Sequence, residues 1–155
     1  MENIIFRKML VGEETEANIL IEKVFNEFVA PGYSERGISE FKKYVTSNSL
    51  LSREKDGNFF IIAVHDKKFI GIIEIRNLNH ISLFFVDKKH QEKGIGRILM
   101  KKAIDKCQAI DINIKTFSVN SSPYAKKVYE KLGFKQIQEE QSKNGLRFIP
   151  MSLVM

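Results

Sequence analysis

Three short apolar segments follow one another in the middle of the chain, and they constrain its fold more than any other feature. They cover residues 59–65, 69–76 and 80–86 and are rich in Ile, Val and Phe. Only the short stretches 66–68 and 77–79 separate them, which leaves room for tight turns alone. Strands joined in this way pair antiparallel. The sequence therefore predicts an antiparallel β-meander.

Helical and strand-like patterns flank this meander. Helices are predicted over 15–29, 38–45, 94–108 and 122–132, and strands over 4–10, 112–119, 134–138 and 146–154. Pro31-Gly32 ends the first helix, Ser122-Pro123 begins the last one, and Gly133 caps it. Pro150 predicts a bulge or an edge position in the final strand. The order βααβββαβαββ indicates an α/β protein.

Length and composition bound the class of protein. Of the 155 residues, 43% are hydrophobic and 28% are charged, as in ordinary soluble domains. No repeat or linker divides the chain, so we expect a single domain over residues 1–155. The one cysteine excludes an internal disulfide. No targeting signal is evident, and no apolar run reaches the roughly 18 to 20 residues of a membrane span. We therefore expect a cytoplasmic protein with no membrane partner.

The net charge of +6 does not identify a partner by itself. The lysines are scattered, and no recognised nucleic-acid-binding motif accompanies them, so we predict a solvated basic surface and no nucleic-acid partner. His65 and His90 lack a cluster of Cys, His or Asp at metal-ligand spacing, so no metal site is predicted. Cys107 lies on the apolar stripe of its helix and is expected in the core.

The segment 90–97 carries the clearest chemical signal, because it joins a predicted strand to a predicted helix. Gly94 and Gly96 allow the backbone to approach a ligand and leave amide N–H groups pointing outward. The helix N-terminus adds partial positive charge, and Lys93 and Arg97 add full charges. This pattern is typical of a phosphate-binding turn. A plain strand-to-helix turn would use the same glycines, so the segment alone leaves both interpretations open.

Two other phosphate-binding motifs do not fit this segment. A P-loop needs Gly-Lys followed by Ser or Thr at the start of the helix, where this chain has Gly94-Ile95-Gly96-Arg97. A dinucleotide-binding turn needs a third glycine three residues after Gly96, where this chain has Leu99. The segment therefore belongs to neither of these two classes.

The chain resembles the GCN5-related N-acetyltransferase (GNAT) superfamily in two motifs. Gln91-x-x-Gly94-x-Gly96 is similar to the family's Q/R-x-x-G-x-G/A signature, in the same strand–turn–helix context. The stretch 120–134, from Asn-Ser-Ser-Pro-Tyr-Ala to Leu-Gly-Phe, is similar to the family's segment after the fifth strand. Lys88 departs from the family, many of whose members carry proline there. The resemblance implies a mixed, mainly antiparallel β-sheet flanked by about four helices.

The resemblance also implies which residues bind the cosubstrate, acetyl-coenzyme A (acetyl-CoA). Backbone amides in the glycine turn would hold the pyrophosphate, and the backbone at the end of the preceding strand would bind the pantetheine and polarise the thioester carbonyl. Asn120 and Ser122 would contact the pantetheine arm. The implied cofactor-binding residues are Phe85, Val86, Gln91, Glu92, Lys93, Gly94, Ile95, Gly96, Arg97, Asn120, Ser122 and Tyr129.

The same resemblance implies that Tyr129 lies beside the sulfur as the general acid. A phenol with a pKa of about 10 can protonate a departing thiolate whose conjugate pKa is about 8.5 only when it is well positioned. The alternative is a core aromatic, since Tyr129 has helical spacing with Ala125 and Leu132. Tyr124 is expected to be structural.

A general base is predicted from strand pairing alone. If residues 77–79 form the turn, Arg76 pairs with His80 and Glu74 with Ser82, and all four side chains share one face. Buried polar groups in apolar strands need a partner or a cleft. We predict Glu74 as the base, with His80 second. The alternative is an ion pair of Glu74 with Arg76 or His80. Arg76 would repel a cationic amine and points to an acceptor that also carries a carboxylate.

The expected activity is transfer of the acetyl group from acetyl-CoA to a primary amine, by direct attack in a ternary complex that needs no enzyme nucleophile. The alternative is an inactive acyl-CoA-binding regulatory module with the same fold. The acceptor is expected to be a small-molecule or peptide amine. The sequence leaves the oligomeric state open, and a homodimer is among the assemblies it allows.

Overall fold

The computed structural model describes residues 3–155, and a mixed β-sheet runs through it. Seven strands are in the order β1-β2-β3-β4-β5-β8-β6, and β7 pairs with β8. Every pairing is antiparallel except that of β4 with β5. The strands are β1 Ile4–Lys8, β2 Phe59–His65, β3 Lys68–Arg76, β4 His80–Val86, β5 Thr116–Ser121, β6 Lys135–Gln136, β7 Gln141–Lys143 and β8 Leu146–Val154.

Helices cover both faces of this sheet. They are α1 Glu14–Val24, α2 Glu35–Tyr44, α3 Ser47–Lys55, α4 Ile95–Ile110 and α5 Lys126–Lys131. A π-helical turn, Phe25–Val29, and a 3₁₀ turn, Ala30–Gly32, continue α1, and a second 3₁₀ turn, Lys88–His90, follows β4. No helix among residues 3–155 is long and apolar enough to cross a membrane.

Two apolar layers hold the helices to the sheet, because alternate residues of each strand face opposite sides. One layer joins the sheet to α4 and α5 and includes Ile73, Ile81, Leu99 and Cys107. The other packs against α1 to α3 and includes Ile62, Ile72, Leu20, Leu83 and Leu50. Cys107 is fully buried, as predicted.

The predicted class, a mixed and mainly antiparallel sheet with helices, is confirmed, and so is the meander. Several boundaries differ. The helix predicted over 15–29 ends at Val24 and continues as the π turn. The strand predicted over 112–119 begins at Thr116. The helix predicted from Ser122 begins only at Lys126, after a turn. Neither α3 nor β7 was predicted from the sequence.

Pro150 lies where the pairing of β8 on one side is interrupted, between the residues paired with β6 and those paired with β7, which agrees with the predicted irregularity. It pairs with Asn120 of β5, and on its other side its carbonyl accepts a hydrogen bond from Ile137 N–H (3.0 Å). An antiparallel residue directs its N–H and C=O to the same neighbour, so Pro150 has no donor to offer toward β6. This explains why β6 is limited to Lys135 and Gln136.

Candidate active site

The candidate site lies where β4 and β5 separate. These parallel strands pair only through His80 with Ser118 and Ile81 with Val119. Among residues 3–155 the remainder of β4 has no strand partner on that side, and a cavity of about 1120 Å³ occupies the gap. Such a volume suits a large small-molecule ligand. We call the part lined by residues 91–97 the loop end, and the part lined by Arg76, His80, α2 and the β7–β8 turn the far end.

The loop end has the properties of an anion site. Gly94 adopts a left-handed conformation (φ 85°) directly before α4, which begins at Ile95. Within residues 3–155, no protein acceptor is found for the amide N–H groups of residues 92–97. Unpaired amides and the positive end of the α4 dipole together attract phosphate. The Gln91 side chain fixes the turn to β4 by donating to Val86 O (2.9 Å).

Gly96 allows α4 to approach β4 closely. A Cβ atom at this position would lie 3.1 Å from Cζ of Phe84, so any side chain would crowd that ring or enter the cavity. Not every residue of the predicted set reaches the cavity with its side chain. Gln91, Glu92, Gly94, Gly96 and Arg97 line it. Ile95 is buried in the core, so it can contribute through its amide only, and the exposed Lys93 side chain is not part of the cavity wall.

The backbone of β4 presents alternate residues to the gap. On the β3 side, Asp87 N–H donates to Ile70 O (2.8 Å), and hydrogen-bonded pairs alternate with non-bonded pairs along an antiparallel ladder. Phe85 therefore bonds to β3, whereas the backbone groups of Phe84 and Val86 point toward β5. This corrects the expectation for Phe85, since its polar backbone atoms are used within the sheet and those of Phe84 are available instead.

Tyr129 lines the cavity from α5 and is 5% exposed. Its ring packs against Phe84 (centroids 5.8 Å apart) and edge-on against Phe134 (5.5 Å). Burial raises the pKa of the Tyr129 phenol well above its usual value, so the hydroxyl stays protonated. The buried side-chain atoms without a hydrogen-bond partner are Glu54 Oε2 and Ser82 Oγ, so the Tyr129 hydroxyl is not one of them. The structure thus brings a core aromatic and a cavity-facing proton donor together in one residue.

Asn120 and Ser122 lie at the end of β5, on the side of the gap opposite Phe84, and both line the cavity. The Ser122 hydroxyl accepts a hydrogen bond from Ala125 N–H (3.2 Å) and so stabilises the turn that precedes α5. The side chain of Asn120 is exposed. Both residues therefore lie where a ligand between β4 and β5 would contact them.

Glu74 does not lie in the cavity. Its side chain is fully buried and accepts hydrogen bonds from Arg53 Nε (2.7 Å), Arg53 Nη2 (3.1 Å) and Asn58 Nδ2 (2.7 Å). Arg53 also donates to Tyr44 O (2.7 Å) and stacks over the Tyr44 ring. The carboxylate is therefore neutralised from α3. The ion-pair alternative holds, but its partner is Arg53 and not Arg76 or His80 as expected, because α3 was not anticipated.

The predicted register of this hairpin is wrong beyond its first pair. Arg76 does pair with His80, but Glu74 pairs with Leu83, since Ile75 pairs with Ile81. Ser82 is thus the extra residue of a β-bulge. Its hydroxyl is buried, has no hydrogen-bond partner within residues 3–155, and belongs to a residue that lines the cavity.

His80 lines the far end and shares a hydrogen bond between its Nδ1 and Ser118 Oγ (2.8 Å). Burial, with a smaller contribution from the Arg76 charge, lowers the pKa of His80 to about 4. The imidazole is therefore neutral at pH 7, and Nε2 is its remaining polar atom. Within residues 3–155 no group of His, Cys, Asp and Glu side chains could hold a metal ion.

One wall of the far end is held in place by contacts that could not be anticipated from the sequence. Gly145, in the β7–β8 turn, packs directly against Gly37 of α2, where any Cβ atom would collide with backbone. Arg36 donates to Asn144 Oδ1 (3.0 Å), and Tyr33 donates to the backbone carbonyl of Arg147 (3.0 Å). The Asn144-Gly145 turn was visible in the sequence, but its partner helix was not.

Comparison with known proteins agrees with this fold. A family model described as acetyltransferase (GNAT) domain matches residues 29–155. A GCN5-related N-acetyltransferase structure from Rhodopseudomonas palustris, also labelled aminotransferase class II, superposes with a TM-score of 0.84 at 18% identity, over 100% of this chain and 98% of that one. The PaiA N-acetyltransferase of Thermoplasma acidophilum, solved with coenzyme A, gives 0.80 at 20% identity, over 98% and 99%.

One curated relative is similar in sequence over a shorter stretch. A UPF0039 protein of Schizosaccharomyces pombe is 31% identical over 68 residues, which are 44% of this chain and 45% of the relative. The match thus spans less than half of that protein. At these identities the solved structures establish the fold, and the family model, which covers most of the chain, establishes the relationship. The chain belongs to the GNAT acetyltransferase family.

Proposed function

We propose that this protein transfers the acetyl group of acetyl-CoA to a primary amine, by direct attack within a ternary complex. The observation that carries the proposal is the cavity between β4 and β5, which has unpaired amides at one end and the Tyr129 hydroxyl in its wall. A pyrophosphate fits the loop end because residues 92–97 offer free N–H groups there, with Lys93 and Arg97 adding positive charge. The backbone of Phe84 and the N–H of Val86 face an extended arm lying between the strands, while the Val86 carbonyl already accepts from Gln91.

The transfer needs a proton for sulfur and a way to remove one from nitrogen. The amine lone pair forms the new C–N bond at the acetyl carbonyl carbon, the C–S bond breaks, and its electron pair leaves on sulfur. Tyr129 donates its phenolic proton to that sulfur. The proton lost by the nitrogen returns through water to the phenolate. The products are the N-acetylated amine and free coenzyme A.

With Glu74 outside the cavity, His80 is the candidate that remains for the nitrogen proton, and its pKa limits its role. A base with a pKa of about 4 cannot deprotonate a free ammonium with a pKa of about 10. We therefore propose that the amine reacts in its neutral form. His80 would then act only after attack, when the nitrogen has become acidic, by accepting its proton at Nε2 and passing it through water to the Tyr129 phenolate.

The experiment is an assay of coenzyme A release over a panel of primary amines, with mass spectrometry of the products. Tyr129→Phe keeps the ring contacts with Phe84 and Phe134 but removes the proton donor, so kcat should fall about 10²- to 10⁴-fold. Binding of acetyl-CoA, measured by calorimetry, should barely change. Unchanged kcat with a lower melting temperature would make Tyr129 a structural residue. Tight acetyl-CoA binding without any acetylated product would favour the regulatory module instead.

A further inference from the structure

Arg76 is a guanidinium that the protein leaves free at the far end of the cavity. It is the last residue of β3, lies opposite His80, and lines the cavity with an exposed side chain. Within residues 3–155 it forms no ion pair with any carboxylate. An arginine has five donors in a planar fork that matches a carboxylate. Its position therefore suits binding of a ligand rather than stabilisation of the fold.

The other charges around the far end are mostly paired within the protein. Arg147 pairs with Glu140 (2.8 Å), and Glu40, which lines the cavity, lies 3.8 Å from Lys43. Lys143 lines the cavity and, like Arg76, makes no ion pair within the described residues. The unpaired charge at this end is therefore positive. An anion is favoured there, and a second cationic group on the ligand is disfavoured.

Two further groups complete a polar wall next to Arg76. Ser82 lines the cavity, but its hydroxyl is inaccessible and has no hydrogen-bond partner within residues 3–155, so it contributes a neutral part of the wall. His80, already bonded to Ser118 through Nδ1, has only Nε2 to offer. Neither residue brings a negative charge.

One wall of the far end is fixed by contacts between the β7–β8 turn and α2. The β7–β8 turn lies directly on α2 through Gly37 and Gly145, and the Arg36–Asn144 and Tyr33–Arg147 hydrogen bonds hold it in place. Leu146 and Phe148 of β8 then form part of the cavity wall. These contacts fix one wall of the far end, so a small molecule can bind there without any movement of the hairpin.

We propose that the acceptor is a small amine that also carries a carboxylate, and that Arg76 binds this carboxylate while the amine faces Tyr129. The proposal rests on the acetyl transfer proposed above and specifies its substrate class. Arg76 and Ser82 lie on the segment of the β3–β4 hairpin that precedes Phe84, and β-strands rise about 3.3 Å per residue. The amine and the carboxylate should therefore be separated along the ligand, as in an ω-amino acid.

The test compares matched acceptors with the full chain. Each ω-amino acid, from glycine to 6-aminohexanoate, is assayed beside its carboxamide, together with phosphoethanolamine, a diamine and a short peptide. We expect the carboxylates to have kcat/KM at least tenfold above their amides. Arg76→Met should raise KM for carboxylates about 10- to 100-fold, the effect of losing a charge-assisted hydrogen-bonded pair, and should leave the amides unchanged. Arg76→Glu should reverse the preference toward the diamine.

Lys135→Met is the matched control, because Lys135 is exposed on β6 and does not line the cavity. It should change no acceptor's KM. Binding of an N-acetyl-ω-amino acid in the presence of coenzyme A, measured by calorimetry, gives a readout independent of turnover and should weaken in Arg76→Met by the same factor.

The outcomes separate the two proposals. Acetylation of all amines with equal efficiency, or an equal effect of Arg76→Met on carboxylates and amides, overturns the acceptor class and leaves acetyl transfer intact. A preference for phosphoethanolamine or the peptide overturns the carboxylate or the small-molecule assignment. If no amine in the panel releases coenzyme A, acetyl transfer fails and the acceptor class fails with it.

Discussion

The buried ion pair between Glu74 and Arg53 allows a sharp test of what Glu74 does. Its carboxylate is inaccessible to solvent and accepts three hydrogen bonds, at 2.7, 3.1 and 2.7 Å. Glu74→Gln removes the charge, places amide hydrogens against existing donors, and leaves the guanidinium of Arg53, 16% exposed, without its partner. Breaking a buried pair in this way costs about 3–5 kcal/mol. That is a large part of the total stability of a domain, about 5–15 kcal/mol.

Urea denaturation measures this loss. With a slope of about 2 kcal/mol per molar, the midpoint of Glu74→Gln should lie about 2 M below that of the native sequence. Because Glu74 is outside the cavity, kcat of the folded fraction should stay within about twofold. A normal midpoint combined with a rate loss of tenfold or more would refute this assignment and restore Glu74 as the base.

A double variant replaces Glu74→Gln in this test if that variant does not fold, and an exposed ion pair serves as the control. Replacing both partners, with Glu74→Met and Arg53→Leu together, removes both charges and should cost less than the sum of the single changes. Asp105→Asn breaks the exposed Lys101–Asp105 pair on α4 (2.8 Å) and should change the unfolding free energy by less than about 0.5 kcal/mol. An equal loss in Asp105→Asn would show that the measurement reports general charge effects.

Two other predictions concern the ends of the cavity. Gly96→Glu should weaken coenzyme A binding strongly, because its side chain meets Phe84 at 3.1 Å and adds negative charge where phosphate would bind; unchanged affinity by calorimetry in a folded variant would remove this site. His80 has a folded pKa lowered to about 4 from 6.5, so the unfolded chain takes up its proton first as pH falls. The unfolding free energy should therefore decrease as the pH falls from about 6.5 to 4. The His80→Asn variant should lack this part of the pH dependence. If its profile is identical to that of the native sequence, His80 does not titrate differently in the folded protein.

The parts of the fold that could be predicted are those set by local chemistry. Alternating apolar residues and short turns determine the meander, and Gly94 with Gly96 marks the start of α4, because both signals depend on neighbours in sequence. The segment Ser47–Lys55 has a single fully buried residue, Leu50, so it lacks an apolar periodicity. Its detectable signal was the Thr46 cap, whose hydroxyl accepts from Ser49 N–H (3.2 Å).

The parts of the site that failed depend on register and on distant partners. The residues of β4 before and after the bulge at Ser82 each alternate regularly between the two faces. The sequence therefore contains no sign of the one-residue shift in register. The partner of Glu74 is 21 residues away on the helix that was missed. The same shift, together with the ladder pattern, determines that Phe84 and not Phe85 offers its backbone to the gap. Strand pairing is needed to decide such questions.

Glu74 is ion-paired within the fold and Arg76 is not, and this difference connects the fold to the proposed acceptor specificity. Residues two apart on a strand face the same side, so in an isolated hairpin this carboxylate and this guanidinium would be natural partners, and Arg76 would be neutralised. Arg53, delivered by α3, takes both oxygens of Glu74 instead. Arg76 is then left beyond the cover of α3 with its charge unpaired at the cavity. On this reasoning, Arg53→Met should release Glu74 toward Arg76 and weaken carboxylate acceptors without any change in the cavity's own residues, so α3 contributes to acceptor binding although it supplies no ligand to it.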